Sequence, residues 1–379
     1  MTRLKTDWLL FFAILGLVGF GLIMVYSASS VIGEIKFHSP WYFFSKQVLW
    51  AIASFGVLMY LKKADYRLMR TPTLAFAALG IVISLLVLVY FVDARAHRWF
   101  RIPSIGSLQP SEFAKPALVV FLAYFVTARR DFINNRQTLK QAALAVAILA
   151  LLVVVADLGT AVVLVLTAVI VLFVAGLEWK YVALVAAVGC LFLAGAVVAR
   201  GYRLGRVIAY FDKDYTLLNK IDKKGIVRNY IERSSSNRDP SYQGRQSVIA
   251  TGSGGVLGEG LMRSRQKLLY LPEAHTDFIF AVVGEELGLW GCTMVLGGFL
   301  LILWRGLRLY FHAPDEFGKY LALGVTLVIV IQAFVNMSVV LDMAPTKGIP
   351  LPMISAGGSS LLATLTSLGL LMSVSEHAG

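Results

Sequence analysis

Long apolar runs separated by short charged segments dominate this 379-residue chain. An α-helix needs about 20 consecutive apolar residues to cross the hydrocarbon core of a bilayer. In lipid, backbone polar groups are satisfied only within helices or closed barrels. Apolar residues make up 58% of the sequence and charged residues only 15%. The chain is therefore predicted to be an all-α, polytopic integral membrane protein.

About ten membrane spans can be placed along the sequence. They lie at roughly 8–29, 45–61, 72–92, 112–128, 141–156, 159–178, 181–199, 277–304, 317–341 and 355–374. The run from Gln141 to Leu177 is too long for one helix, and Asp157 lies at its middle, so two spans are predicted there. A large loop, 200–275, separates helices 7 and 8. Residues 1–379 are expected to form a single transmembrane domain.

The distribution of lysine and arginine predicts the orientation. Cationic short loops stay on the cytoplasmic side, and the short segments on the side of the N-terminus carry about twice as many cations as those on the other side. Both termini are therefore predicted to be cytoplasmic, and the 200–275 loop extracytoplasmic. The first span is expected to be retained as an anchor.

The net charge of +13 would suggest nucleic acid as the partner of a soluble chain. Here most cations flank the spans or lie in the large loop. We therefore predict that they bind anionic membrane lipids and that nucleic acid is not a partner. The two cysteines, Cys190 and Cys292, both lie in apolar spans, which excludes a disulfide framework or a CxxC metal site.

The large loop changes character along its length. Residues 212–240 are charged and rich in serine, which indicates a mobile excursion with little to bury. From Ser241 onward the pattern is amphipathic and punctuated by glycine. We expect short interfacial helices that dip back toward the membrane, where nonhelical backbone must be covered by protein or line a cavity.

Charged residues inside spans are functional candidates because they are costly in lipid. Glu112 and Lys115 are three residues apart and can pair on one helix face. Such a pair either fixes helix packing or, as we favour, lines a polar cavity.

Asp157 either caps the following helix, which we favour, or belongs to a functional site. At 100° per residue, at most one of Glu285 and Glu286 can share a helix face with Asp277, and a hydrogen-bonding role is expected for at least one of the pair.

Asp277 is the leading candidate for chemistry. It is predicted to lie in the first turn of a helix that begins near Thr276, whose positive end favours an ionised carboxylate. Such a group can accept a proton, bind a cation or simply cap the helix. Glu273 and His275 come just before it. Cations upstream suit either a phosphate group or a basic rim on anionic lipid, and they are Arg263, Arg265 and Lys267.

Five segments carry a resemblance to a known family. They are VYSASS (25–30), RWFRIPSIGSLQPSEFAK (98–115), ADLGT (156–160), RQKLLYLPEAHTDFIFAVVGEELG (265–288) and PTKGIPLPMISAGGSSLL (345–362). In this order they resemble the SEDS family of bacterial membrane proteins, named for shape, elongation, division and sporulation. PTKG followed by GGSS is more similar to the division and sporulation branch.

The resemblance implies a ten-helix peptidoglycan glycosyltransferase that polymerises lipid II at the outer face of the bacterial cytoplasmic membrane. Asp277 aligns with the family's essential acid, and it would act as the general base or bind a divalent cation, Mg²⁺ or Mn²⁺. Glu112 and Lys115 align with the family's charged pair beside a central cavity. A class B penicillin-binding protein is the expected partner.

In this mechanism the departing polyprenyl pyrophosphate would be stabilised by cations from among Lys115, Lys347, Arg263, Arg265 and Lys267. A lipid II flippase is the main alternative, since intramembrane charges and broken helices are also found in transporters. A scaffold for the transpeptidase is a further one.

Three positions depart from the family pattern. Ala156 replaces a proline, Ala356 replaces an aromatic residue and Met262 replaces a glycine. They leave Asp277 unchanged and bear on local loop geometry.

Overall fold

Helices make up most of the protein. The computed structural model describes residues 6–93, 97–102, 106–212, 216–222, 225–234, 242–268, 270–345 and 348–377. The helices are α1 (Trp8–Phe37), α2 (Tyr42–Lys63), α3 (Pro72–Val92), α4 (Pro110–Ala128), α5 (Arg136–Ala156), α6 (Leu158–Val174), α7 (Trp179–Val198), α8 (Gly201–Phe211), α9 (Thr216–Ile221), α10 (Ile226–Ser234), α11 (Tyr242–Ser253), α12 (Ile279–His312), α13 (Glu316–Val340) and α14 (Gly358–His377).

Two short 3₁₀ helices, Tyr66–Arg70 and Arg130–Phe132, connect long helices. Between α3 and α4, strands β1 (Phe100–Ile102) and β2 (Gly106–Leu108) pair as an antiparallel hairpin. The sequence did not predict this hairpin, because its two strands are only three residues long.

The predicted spans are confirmed as helices. Within the described residues, nine helices are long and apolar enough to cross a membrane, and α6 is apolar but 17 residues long. Some bounds differ, since α1 continues to Phe37 where the prediction ended at 29. The protein is therefore an all-α, multi-pass membrane protein.

Asp157 divides the long apolar run as predicted. Its extended backbone (φ −150°) ends α5 at Ala156 and starts α6 at Leu158. The side chain accepts hydrogen bonds from the backbone N–H of Gly159 at 2.9 Å and of Thr160 at 3.3 Å. This satisfies two N–H groups that a helix start leaves without a partner, so the predicted capping role is confirmed.

Three helices form the centre of the bundle. α4, α13 and α14 are buried along most of their length, whereas no residue of α7 is buried. Small residues allow close crossings: a Cβ built on Gly306 of α12 would lie 1.9 Å from Oγ1 of Thr326 in α13. The outer helices α3 and α7 expose large apolar side chains, as expected for surfaces that face lipid.

α12 is interrupted, and a loop fills the gap. At Gly288 the backbone has φ 63° and ψ −155°, which no helix allows. Residues 254–268, which we call the re-entrant segment, pack against this break. The backbone N–H of Glu259 donates to the carbonyl of Glu285 (2.9 Å), and that of Gly260 donates to the carbonyl of Glu286 (3.0 Å). One short helix forms in this part of the loop, α11, as expected, and the nonhelical segment after it is covered by α12. Its depth in the membrane stays a prediction.

Side chains also hold the re-entrant segment. Glu285 accepts from the backbone N–H of Arg265 at 2.7 Å, and Glu286 accepts from Lys267 Nζ at 2.8 Å and from the N–H of Met262 at 3.0 Å. The prediction that one of these glutamates could share a helix face with Asp277 was wrong, because Asp277 lies before the start of α12. The expected hydrogen-bonding role holds for both glutamates.

The first part of the large loop contains helices that the sequence did not predict, and its mobility stays a prediction. α9 and α10 form within residues 212–240, where a mobile excursion was expected. The parts of this stretch at 213–215, 223–224 and 235–240 lie outside the described residues. α8 and α10 pack against each other, which gives the apolar residues of these short helices a surface to cover.

Candidate active site

A cavity of about 520 Å³ surrounds Asp277 at one end of the bundle. We call it the Asp277 cavity. Its walls come from α8, the α5–α6 junction, the residues on either side of the hairpin, Pro345 and the stretch 348–360. Among the residues that the structure describes, six charged ones line it: Arg98, Asp157, Arg203, Arg206, Glu273 and Asp277.

Asp277 lies in the turn before α12 and not in the first turn of the helix as predicted, because α12 begins at Ile279. Asn336 of α13 fixes this turn by donating from Nδ2 to the carbonyl of Asp277 at 2.8 Å. A Cβ on Gly348 would lie 2.2 Å from Oδ2 of Asp277. Glycine at 348 therefore leaves the space that the carboxylate occupies.

The surroundings of Asp277 change its proton affinity. Burial raises the pKa of Asp277 to about 7; nearby Arg98 and Arg206 lower this pKa, whereas Glu273 and Asp157 raise it. A general acid or base works best when its pKa lies near the operating pH. The geometry thus provides a carboxyl group that can exchange a proton at neutral pH.

Three arginines supply positive charge to the same cavity. Arg98 Nη2 lies 3.4 Å from Oδ2 of Asp157. Arg203 donates to the carbonyl of Val154 at 3.0 Å, which ties α8 to the end of α5. Arg206 donates to Oε1 of Gln243 at 3.0 Å. Guanidinium groups held in this way suit the recognition of phosphate.

The start of α14 also borders the cavity. Ser359 and Ser360 lie in its first turn and line the wall. The first N–H groups of a helix have no partner within the helix and carry partial positive charge. This end of α14 therefore adds to the attraction that the arginines exert on an anion.

Glu112 and Lys115 pair as predicted, but they do not line the Asp277 cavity. Lys115 Nζ lies 2.7 Å from Oε2 of Glu112 and 2.6 Å from Oε1 of Gln332, and the side chains of the pair are only 1% and 3% exposed. Gln332 donates to the carbonyl of Pro350, a wall residue, at 2.8 Å. The pair thus supports the cavity wall from behind, and contact with substrate stays a prediction.

The remaining predicted residues are distributed differently from expectation. Glu273 lines the Asp277 cavity, whereas His275 lines a second cavity on the other side of the same turn. Arg263 and Arg265 are exposed on the re-entrant segment, and Lys267 is paired with Glu286. Lys347 lies outside the described residues. Substrate binding by these side chains stays a prediction.

Sequence reasoning missed the arginines that the structure places beside Asp277. Arg203 and Arg206 are three residues apart in α8, so one face of this short amphipathic helix carries both. That spacing was the available signal. Arg98 stood within a recognised motif, but its position beside Asp157 depends on the fold.

A preformed metal site is not found. Among the residues that the structure describes, no group of three or more His, Cys, Asp or Glu side chains gathers around one point. Asp157 shares the cavity with Asp277 but already caps α6. Asp277 and Glu273 are the other carboxylates of the cavity, so Asp277 could hold a divalent cation only with further ligands from the substrate. The predicted cation stays a prediction.

Together these features define a polytopic membrane protein with a half-buried carboxyl group and three arginines in a cavity at one end of its helical bundle. The family described as "Cell cycle protein" (FtsW, RodA and SpoVE) matches residues 7–379. The chain belongs to this family, as the resemblance to SEDS proteins predicted.

Individual relatives cover all or nearly all of the chain. The probable peptidoglycan glycosyltransferase FtsW of Geobacter sulfurreducens (strain DL-1 / KN400) is 38% identical, over 98% of this chain and 96% of the relative. Stage V sporulation protein E of Bacillus subtilis (strain 168) is 35% identical over 100% of both chains.

Solved structures are similar as well. A chain from a peptidoglycan synthase complex that coordinates polymerization and crosslinking has a TM-score of 0.75 and 25% identity, with 98% of both chains covered. The rod shape determining protein RodA of Thermus thermophilus has a TM-score of 0.68 and 25% identity, with 98% of this chain and 96% of that chain covered.

Proposed function

We propose that this protein is a peptidoglycan glycosyltransferase that polymerises lipid II into glycan strands. The observation that carries the proposal is a carboxyl group with a pKa of about 7 in a cavity lined by three arginines. The names of the full-length relatives support the same activity.

The reaction can be written with the residues of the Asp277 cavity. Asp277 accepts the proton of the acceptor sugar hydroxyl while that oxygen forms a bond to the anomeric carbon of the donor. The bond between the anomeric carbon and the pyrophosphate oxygen breaks, and its electron pair leaves with polyprenyl pyrophosphate. Arg98, Arg203 and Arg206 stabilise the negative charge on the leaving group.

A divalent cation, Mg²⁺ or Mn²⁺, remains part of the proposal as an additional source of positive charge for the pyrophosphate. Asp277 is the protein ligand that fits it. Polymerisation with and without a chelator is the test: loss of activity that added Mg²⁺ or Mn²⁺ restores supports the cation, and unchanged activity contradicts it.

The expected setting is the bacterial cytoplasmic membrane, with both termini cytoplasmic and the Asp277 cavity at the outer face. The expected partner is a class B penicillin-binding protein that cross-links the peptides of the new strand. The similarity to a chain from a complex that couples polymerization to crosslinking supports this partner.

Purified protein and labelled lipid II in detergent provide the decisive assay, because detergent has no second leaflet and a flippase or scaffold would form no polymer. We expect wild type to polymerise and Asp277→Asn to lose activity by about 10²- to 10⁴-fold, the usual contribution of a general base. Glu259→Gln, which neutralises an exposed carboxylate on the re-entrant segment, is the matched control. Full activity of Asp277→Asn would contradict the role of Asp277.

A further inference from the structure

A second cavity, also of about 520 Å³, lies beside the Asp277 cavity. We call it the Lys36 cavity. Its wall on one side is the turn 271–275, and Glu273 lines both cavities. A single stretch of chain therefore separates the two spaces, with Asp277 on one side and His275 on the other.

The outer turns of α1 form the opposite wall of the Lys36 cavity. Ala28, Ile32 and Lys36 are spaced four residues apart, so they lie on one face of the helix over about 12 Å. The inner two are apolar, and the last is an exposed lysine at the end of the helix. A lipid-linked ligand along this face would place its apolar chain against Ala28 and Ile32 and its charged head group near Lys36.

The rest of the lining combines the apolar Leu271, Pro272 and Ala274 with polar side chains. Tyr242, Glu273 and His275 can exchange hydrogen bonds with hydroxyl groups. Lys267 adds a second cation, although Nζ already contacts Glu286 at 2.8 Å and Ser27 at 3.2 Å. Burial lowers the pKa of His275, and Lys36 lowers it further while Glu273 raises it. The imidazole is thus neutral at pH 7 and able to bind a sugar hydroxyl.

We propose that the Lys36 cavity is the binding site for the acceptor, a second polyprenyl-pyrophosphate-linked saccharide. Its lipid lies along Ala28 and Ile32, its pyrophosphate contacts Lys36 and its sugar reaches Asp277 across the turn 271–275. This inference rests on the proposed function, since a polymerase must hold a donor and an acceptor at once.

The different charge requirements of the donor and acceptor pyrophosphates support this assignment. The donor pyrophosphate gains charge during the reaction, which suits the three arginines of the Asp277 cavity. The acceptor pyrophosphate does not react and gains no charge, so the point charge of Lys36 is suited to attract and position it. In lipid II the pyrophosphate and the attacking hydroxyl are one disaccharide apart, so the acceptor needs an anion site next to the Asp277 cavity and outside it.

Photocrosslinking in the Asp277→Asn background tests the site, because bound substrate cannot turn over there. We expect p-benzoyl-phenylalanine at Ile32 to crosslink to labelled lipid II, and the same probe at Ile35, which is 57% exposed and lines neither cavity, to give only background. Excess unlabelled lipid II should abolish the signal, and excess phosphatidylglycerol should not. Equal crosslinking at both positions, or displacement by phosphatidylglycerol, would overturn the proposal.

Kinetics of lysine variants provide a second readout. Lys36→Ala should raise the KM for lipid II about two- to fivefold at unchanged kcat, the effect of losing one exposed charge pair. Lys36→Arg should restore the wild-type KM. Lys46→Ala, a nearby lysine that lines neither cavity, is the matched control.

The glycosyltransferase activity and the acceptor site can be rejected independently. If wild type forms no polymer, the proposed function is wrong. If wild type polymerises but Lys36→Ala and Lys46→Ala behave alike, the acceptor site is wrong and the glycosyltransferase activity stands.

Discussion

The half-buried carboxyl group of Asp277 makes the activity depend on pH. Only the ionised form accepts a proton, so kcat/KM should increase with the ionised fraction as pH rises through about 7 and then reach a plateau. Initial rates of polymerisation in detergent between pH 5.5 and pH 9 measure this profile. A rate that falls as pH rises through 7 would contradict the role of Asp277 as base.

Removing a neighbouring positive or negative charge should shift the inflection of the pH profile of kcat/KM in opposite directions. Arg98 lowers the pKa of Asp277, so Arg98→Gln should shift the inflection to higher pH. Glu273 raises this pKa, so Glu273→Gln should shift the inflection to lower pH. Glu259→Gln, at an exposed position, should leave it in place.

The sequence contained enough information to identify Asp277 and Glu273, but not the cations beside them. Arg263, Arg265 and Lys267 are closer to Asp277 along the chain, yet Arg98, Arg203 and Arg206 share its cavity. Proximity in sequence was misleading because the re-entrant segment folds back onto the break in α12. The positions of Arg98 and Arg203 depend on contacts between distant helices, which a motif does not encode.

At the scale of elements, the re-entrant segment and the break in α12 depend on each other. The carbonyls of Glu285 and Glu286 accept hydrogen bonds from the segment, and Leu289 donates to the carbonyl of Gly255 at 3.0 Å. Hydropathy predicts the span but not its interruption, because Gly288 could also continue a helix. Met262, which replaces a glycine of the family pattern, has φ 68° in this segment, a conformation that glycine adopts without strain.

Gly258 tests this coupling. It has φ 82°, and a Cβ there would lie 2.2 Å from the carbonyl oxygen of Glu286. Gly258→Ala should therefore lower the free energy of unfolding by at least about 2 kcal/mol, through backbone strain and the steric clash. Thermal unfolding in detergent, followed by tryptophan fluorescence, measures the loss.

Gly252→Ala is the control for this substitution. Gly252 lies in α11 with open space around its Cβ position, so alanine there should be neutral or stabilise the protein by up to about 1 kcal/mol. Equal melting temperatures for the two variants would show that the re-entrant segment is not packed against α12 as described.

At the scale of the whole molecule, hydropathy was sufficient to predict the bundle because each span must satisfy its own backbone in lipid. Orientation rests on a weaker signal, the excess of cations in the loops on one side. The proposed reaction requires the Asp277 cavity to lie on the outer side, where lipid II is polymerised. The orientation of the bundle is therefore the property of the whole molecule on which the function depends.

Cysteine labelling tests this orientation. In a background with Cys190 and Cys292 replaced by alanine, we introduce Glu34→Cys in the last turns of α1, beside the Lys36 cavity, and Asp131→Cys in the 3₁₀ helix between α4 and α5, both at exposed positions. A membrane-impermeant maleimide should label the cysteine at 34 in intact spheroplasts and the cysteine at 131 only after permeabilisation. The opposite pattern would place Asp277 on the cytoplasmic side. Polymerisation there would release glycan on the wrong side of the membrane for a cell wall, so that result would refute the proposed function even if the cavity bound lipid II.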